Sequence, residues 1–274
     1  MKTAIQKTAI AAVAAVLTCA PASAGESLDR VMKNGVLKVA TDLNWPPQSF
    51  LNADNEMDGF DVGVAREIAK RLGVKAEFVT PSWDVITAGK WAGRWDVSVG
   101  SMAPTVDRSK VLNFPAVYYY TPAAAAVHND SKAQKPSDLS GKTIGAGTST
   151  VYELYLKKDL DIFGAPEFSY RITPEKIHSL ESTTVLLDDL RLGDGVRIDG
   201  MVGNYTTILD AIKNGYPVRL LEPVLFHEPL AVAIDLGDEE FAQKIAAAVE
   251  DMRADGTLAR MSEKWYNVDY TSAQ

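Results

Sequence analysis

Cysteine is almost missing from this chain of 274 residues, and the one example, Cys19, lies within the first 24 positions. Residues 1–24 have the build of a secretory signal. Lys2 and Lys7 precede an apolar run from Ala9 to Cys19, and Ala22-Ser23-Ala24 forms a small-residue cleavage site. A lipoprotein signal modified at Cys19 is the rival reading, with Thr18 a poor neighbour for that processing. Cleavage after Ala24 leaves no cysteine, so neither a disulfide framework nor a thiolate metal site is available. Histidine is scarce as well: His128, His178 and His227 stand far apart and show no metal-ligand spacing. No Gly-x-Ser-x-Gly nucleophile elbow occurs. Basic charge is in deficit, with 28 Lys and Arg against 36 Asp and Glu; the net charge of −8 becomes −10 once Lys2 and Lys7 are removed. Such an acidic surface argues against nucleic acid and anionic lipid as partners. The leading apolar run is too short to span a membrane, and no second one follows.

About 250 residues then remain, enough for one large domain or two modest ones. After a short helix from Leu28 to Lys33, Gly35 turns the chain into the apolar run Val36–Thr41, which predicts a buried strand. Asp42-Leu43-Asn44-Trp45-Pro46-Pro47 breaks it. A helix opening near Phe60 has apolar spacing through Ile68 and Leu72 and stops at Gly73, and a second strand runs from Lys75 to Val79. Strand, helix and strand in that order build a parallel sheet, whose ligands lie beyond the carboxyl ends of the strands. Trp45, Trp83 and the segment Ser101–Arg108 all fall at such ends. Ordinary core packing is the competing reading for each tryptophan. Trp91 and Trp95 read as packing residues of a helix and a strand.

The stretch Gly100–Pro115, GSMAPTVDRSKVLNFP, follows the alternating apolar run Trp95–Val99. A guanidinium is planar and always charged, so Arg108 beside a strand end suits bidentate capture of a carboxylate, with hydroxyls nearby to complete the anion's hydrogen bonds. A solvated loop arginine is the plain alternative. The stretch resembles the ligand loop of the periplasmic solute-binding proteins of the polar amino-acid uptake family. That pattern sets small or hydroxyl residues seven and five positions before an Arg, Thr three before it and Phe six after it. Ser101, Thr105, Arg108 and Phe114 fit; Ala103 departs from the usual Ser or Thr. The order of Gly35-Val36-Leu37-Lys38-Val39, then Asp42 with Trp45-Pro46, then Gly59-Phe60-Asp61-Val62 is similar to the same family. The resemblance puts Trp45 and Trp83 on opposite faces of a ligand. It implies a lining completed by Asp42, Met102 and Ala103, and a carboxylate clamp of Arg108 with Ser101 and Thr105. Gln48 stands where the family often has Phe.

Further along, Tyr118–Pro122 leads into a β-prone run, Ala123–Val127, which the resemblance makes the first crossing between two lobes. Leu139–Thr150 reads as a strand ending in small residues before a helix from Val151 to Lys158. The Lys of a nucleotide-binding loop is missing there. In the family this turn faces the ligand, so Thr148, Thr150 and the Val151 backbone become candidates for its carboxylate. Residues 159–181 show no clear element, Ser182–Leu192 reads as a capped helix, and Val196–Asn204 reads as a strand. The family frequently ends that strand with an aspartate for the ligand's α-ammonium, a position that is Asn204 here. An amide carries no charge to offset an ammonium. Either the ligand lacks a free α-amino group or another group supplies the charge. Arg219–Glu222 predicts a short strand, and Phe226–Ile234 the crossing back, with His227 and Glu228 assigned to the hinge. Asp238–Met252 reads as an amphipathic helix, and the ending through Lys264-Trp265-Tyr266 rebuilds the first lobe in the family.

The resemblance therefore implies a two-lobed α/β fold of the type II periplasmic-binding-protein (Venus-flytrap) class, joined by two hinge strands. Lobe 1 would comprise 25–119 and 229–274, and lobe 2 would comprise 120–228. It implies a monomeric periplasmic component of an ABC importer that binds a small carboxylate ligand and passes it to a membrane permease, with no cofactor and no metal. Two alternatives keep the fold. One binds a betaine, ectoine-like or opine ligand without a free α-amino group. The other is an enzyme of the cyclohexadienyl dehydratase type, whose general acid the loop Asn204–Thr207 does not offer. A receptor sensing domain is a further reading, set aside because no membrane span precedes Gln274.

Overall fold

The computed structural model describes residues 26–165 and 167–272; the expected signal segment and its cleavage after Ala24 lie outside the described residues. Among them, one mixed sheet runs in the order Lys75–Val79, Val36–Ala40, Val97–Met102, Val218–Asp235, Leu112–His128, Gly200–Asn204, Thr143–Gly147, Lys176–Leu180. At one end Val36–Ala40 pairs in parallel with both neighbours. At the other, Thr143–Gly147 does the same. Between these two parallel units run the long strands Leu112–His128 and Val218–Asp235, antiparallel to each other. The second of them pairs with Val97–Met102 and the first with Gly200–Asn204. The result is two α/β lobes that share one sheet through two long crossing strands.

The inner parallel strands are buried as central α/β strands are, Val97–Met102 at every position, while the edge strands Lys75–Val79 and Lys176–Leu180 are partly exposed. In the first lobe the helix Phe60–Arg71 covers them with Phe60, Val64, Ala65 and Ile68. Asp238 ties the lobe's two chain segments together. Its Oδ1 caps the helix Glu239–Ala254 by accepting from Phe241 N–H at 2.9 Å, while its Oδ2 accepts from Ser27 and Leu28 N–H at 2.9 and 3.0 Å. The largest apolar cluster continues from this lobe along the long strands to Tyr155, Leu221 and Phe226. A separate cluster of Leu186, Leu190, Ile198, Met201 and Ile208 fills the far side of the second lobe.

Several elements differ from the sequence reading. Arg219–Glu222 and Phe226–Ile234 are parts of one strand, because the register shift between Leu221 and Phe226 absorbs Pro223 without ending the ladder. Lys176–Leu180 is an edge strand in the segment that had shown no element, and Val196–Asn204 shortens to Gly200–Asn204. Trp91 and Trp95 are buried against each other, ring centroids 5.5 Å apart, but in a turn region rather than in a helix and a strand. A small three-stranded sheet, Asn44–Trp45, Ser49–Leu51 and Met57–Asp58, folds over the first lobe. Gly59 makes that possible: at φ 125° a Cβ would lie 2.3 Å from the Gln48 carbonyl oxygen.

Candidate functional site

The carboxyl ends of five parallel strands converge on one cavity between the lobes, with about 530 Å3 of empty space including its mouth. From the first lobe come Asp42 and Trp45 after Val36–Ala40, Trp83 after Lys75–Val79, and Ser101, Ala103 and Arg108 at and beyond Val97–Met102. From the second come Gly147, Thr150, Val151 and Tyr152 after Thr143–Gly147, and Glu181 and Thr183 after Lys176–Leu180. Glu228, in the middle of the long strand Val218–Asp235, completes the wall.

Arg108 opens a single 3-10 turn, Arg108–Lys110. The Thr105 hydroxyl oxygen accepts from the Arg108 N–H at 3.1 Å and so fixes where the side chain departs. Arg108 is 7 % exposed. Nη1 donates to the Ala103 carbonyl at 2.9 Å and Nη2 to the Ser149 carbonyl of the second lobe at 2.8 Å. Burial lowers its pKa to about 10, which leaves it charged at neutral pH. Among the described residues no carboxylate lies within 4.0 Å of it. Trp83, the first residue of the helix Trp83–Thr87, lies with its ring centroid 5.5 Å from the guanidinium carbon, and its Nε1 donates to the same Ser149 carbonyl at 3.3 Å. One tryptophan face therefore already supports a cation belonging to the protein. Trp45 also lines the cavity, and its indole N–H is buried with no partner among the described residues.

Ser101 lines the cavity but turns its polar groups away from it. It holds φ 53°, and its N–H donates to the Tyr118 hydroxyl at 2.8 Å. Its hydroxyl donates to Asp61 Oδ2 at 2.8 Å and is also in contact with the Tyr119 hydroxyl. Tyr118 donates to Asp61 Oδ1 at 2.7 Å. Asp61 is fully buried, and desolvation pushes its pKa up to about 7 against the pull of those hydroxyls. Ser101 is accordingly the front of a buried hydroxyl–carboxyl cluster rather than a free donor for an anion.

Other expected positions also lie off the wall. Met102 is fully buried beside Trp91, Trp95 and Leu112, because the alternation of its strand turns it to the back of the sheet. Thr105 is buried and holds the Arg108 turn from behind. Thr148 bonds through its N–H to the Leu180 carbonyl at 2.9 Å and stands off the wall, whereas Thr150 and Val151 reach it. Thr150 caps the helix Val151–Lys157, and its hydroxyl donates to the Gly147 carbonyl at 2.6 Å. Asn204 is 1 % exposed and outside the cavity wall. It caps the helix Tyr205–Lys213, its Oδ1 accepting from Thr206 N–H at 2.9 Å, and its Nδ2 donates to Thr121 at 2.8 Å. Gln48, from the first lobe, joins this group: Nε2 donates to Thr206 at 2.7 Å and Oε1 accepts from Thr207 at 3.2 Å.

Sequence reasoning passed over Tyr152, Glu181 and Thr183, and it assigned Glu228 to the hinge rather than to the cavity. Glu228 is 1 % exposed, and its Oε1 accepts from the Tyr152 hydroxyl at 2.7 Å. Burial pushes its pKa up to about 7, while Tyr152, the Arg108 charge and the Asn204 amide draw it back. A carboxyl that the loop Asn204–Thr207 does not offer is thus present on the wall from another element. His227, its neighbour on the same strand, faces outward and is exposed. Of Leu225–Ala231 only His227 is exposed; strand alternation puts Glu228 on the face of Phe226 and Leu230, opposite His227.

The profile of the family described as bacterial extracellular solute-binding proteins, family 3, matches residues 37–268. Among curated relatives, the L-cystine-binding protein TcyJ of Escherichia coli (strain K12) is 30% identical over 247 residues, covering 89% of this chain and 87% of that protein. ABC transporter arginine-binding protein 1 of the same strain is 25% identical, over 81% of this chain and 87% of its own. Among solved structures, an ancestral amino acid-binding protein described as a precursor of cyclohexadienyl dehydratase shares 29% identity at a TM-score of 0.76, covering 88% of this chain and all, 100%, of that one. An ancestral arginine-binding protein bound to arginine shares 28% identity at a TM-score of 0.74, covering 85% and 98%. With its two lobes, its cavity between them and a family match that runs through both, the chain belongs to the bacterial extracellular solute-binding proteins of family 3.

Proposed function

We propose that this chain is the substrate-binding component of an ABC importer, closing on a small amino acid and presenting it to a membrane permease. The observation that carries the proposal is Arg108: a guanidinium buried on the wall of an interlobe cavity, held by two backbone carbonyls, with no carboxylate among the described residues within 4.0 Å and Glu228 acting on its charge from farther off. A guanidinium has five N–H donors in a fixed fork, so donors remain for a ligand carboxylate. Trp45 and Trp83 would flank the rest of the ligand, and Thr150 with the Val151 backbone would meet its carboxylate from the second lobe. The first lobe would be 25–119 with 229–274 and the second 120–228, moving about Leu112–His128 and Val218–Asp235. The protein would act as a monomer in the periplasm after cleavage behind Ala24.

Relatives named for cystine and arginine support an amino acid over a betaine, ectoine-like compound or opine. One observation favours a dehydratase of the cyclohexadienyl type, namely the carboxyl of Glu228 on the cavity wall with its raised pKa. Incubation with prephenate or arogenate decides between them: the binding reading expects no turnover, and steady turnover would replace it. Calorimetric titration of the wild-type protein and Arg108→Ala with the proteinogenic L-amino acids and L-cystine tests the reading itself. Binding by the wild type that survives undiminished in Arg108→Ala would contradict it.

A further inference from the structure

The cavity wall holds a buried guanidinium and a buried carboxyl that act on each other at a distance but form no ion pair within 4.0 Å. Arg108 spends its observed hydrogen bonds on the Ala103 and Ser149 carbonyls. Glu228 has only neutral groups, the Tyr152 phenol and the Asn204 amide, acting on it as donors, and no Lys, Arg or His among the described residues lies within 4.0 Å of it. Burying a carboxylate without a cation is costly, and so is burying a guanidinium without an anion. Both costs fall on the same cavity wall. A zwitterion with a carboxylate and an ammonium close together relieves both at once, and neither a simple carboxylate nor a simple amine does.

Two other carboxylates share the wall. Asp42 already accepts from the Asn44 N–H at 2.7 Å, and Glu181 is exposed at the rim. The amide of Asn204 lies behind the wall, tied to Thr121 and Thr206. Glu228 is the acid that is both on the wall and sealed from solvent. Its place on a crossing strand, between the two lobes, lets it meet a ligand held by either one.

We infer that Glu228 receives the ligand's α-ammonium, with Tyr152 orienting its carboxylate, and that it makes the site selective for amino acids over the matching hydroxy acids. This rests on the amino-acid reading above. A consequence follows for protons. The groups around Glu228 are Arg108, Tyr152 and Tyr119; Arg108 stays charged near neutrality, and both tyrosines are raised well above 10 and stay neutral. Glu228 itself is partly protonated near pH 6.5 in the empty site. Meeting an ammonium ionises it, so binding releases protons. Asp61, also raised to about 7, lies behind Ser101 and could titrate in the same range.

The test uses the wild-type protein and Glu228→Gln, which keeps an oxygen for Tyr152. Both are titrated calorimetrically with the proteinogenic L-amino acids and L-cystine. The tightest binder is then compared with its 2-hydroxy acid, in buffers of different ionisation enthalpy at pH 6.5. The expected result is a loss of at least tenfold in Glu228→Gln for the amino acid, little change for the hydroxy acid, and proton release that is present in the wild type and absent in the variant. Equal losses for both compounds would overturn the inference while leaving the amino-acid reading intact. Release of equal size in both proteins would place the titration on Asp61 and overturn it as well. Wild-type protein that binds no amino acid would contradict the reading and this inference together. Should Glu228→Gln fail to fold, the wild type decides alone: a hydroxy acid bound as tightly as the amino acid, without proton release, overturns the inference.

Discussion

Besides the backbone bridge of Pro104–Val106 with Asp161–Phe163 and the Thr184–Asn44 bond, two polar contacts between the lobes differ sharply in character. One is charged and opens onto the cavity, where Arg108 and Trp83 of the first lobe both donate to the Ser149 carbonyl of the second. The other is neutral and sealed, where Gln48 of the first lobe interlocks with Asn204, Thr206 and Thr207 of the second. The charged contact leaves guanidinium donors unused and no carboxylate within 4.0 Å among the described residues, so we expect a ligand to complete it. The neutral one matches each donor to an acceptor and needs nothing further. Ligand recognition and the sealed Gln48 contact therefore rest on different residues, whose effects should be separable by substitution.

The largest effect is expected at the charged contact. Arg108→Ala should weaken amino-acid binding by about 3 kcal/mol or more, beyond a hundredfold, with little change in melting temperature. Calorimetry and a thermal melt read the two quantities. Asn204→Asp tests the neutral side. It removes the donor to Thr121 and puts an anion into a buried cluster close to Glu228, so a stability loss of about 3 kcal/mol is expected, seen as a lower denaturation midpoint. A gain in affinity for simple amino acids, which the residue's place at the strand end would favour if it faced the ligand, is not expected from a side chain behind the wall. Gly59→Ala should cost about 2 kcal/mol, because its Cβ would collide with the Gln48 carbonyl and displace the Gln48 hairpin. Gln48→Ala should have the smallest effect, about 1 kcal/mol or roughly fivefold in affinity, with unchanged preference between an amino acid and its hydroxy acid. Small-angle scattering should show Gln48→Ala more open without ligand; a shift in ligand preference instead would merge the two contacts into one.

The parts of this arrangement that could be read from sequence are those built locally. The strands of the first lobe followed from short apolar runs bounded by Gly, Pro and Asp, whereas Arg108 was singled out by its resemblance to the family's ligand loop. Trp45, Trp83, Asp42, Ala103, Thr150 and Val151, which the same resemblance implies, reach the cavity wall, each sitting just beyond a parallel strand. Ser101 reaches it too, yet its hydroxyl serves Asp61, forty residues earlier in the chain, a pairing no local pattern reveals. Glu228 was hidden by its setting. In Phe226-His227-Glu228-Pro229 it reads as loop charge until Val218–Asp235 is seen as one strand whose shift spans Pro223. Gln48 and Asn204 stand 156 positions apart and meet only because the lobes close. Departures from a family pattern at both positions turn out to form a single contact.

The most direct test of the central claim is a crystal structure of the protein with the amino acid that calorimetry finds to bind most tightly. The account predicts its carboxylate in hydrogen-bond contact with the Arg108 guanidinium, inside a cavity walled by both lobes. A bound amino acid whose carboxylate lies elsewhere, with Arg108 contacting only the Ala103 and Ser149 carbonyls, would contradict it.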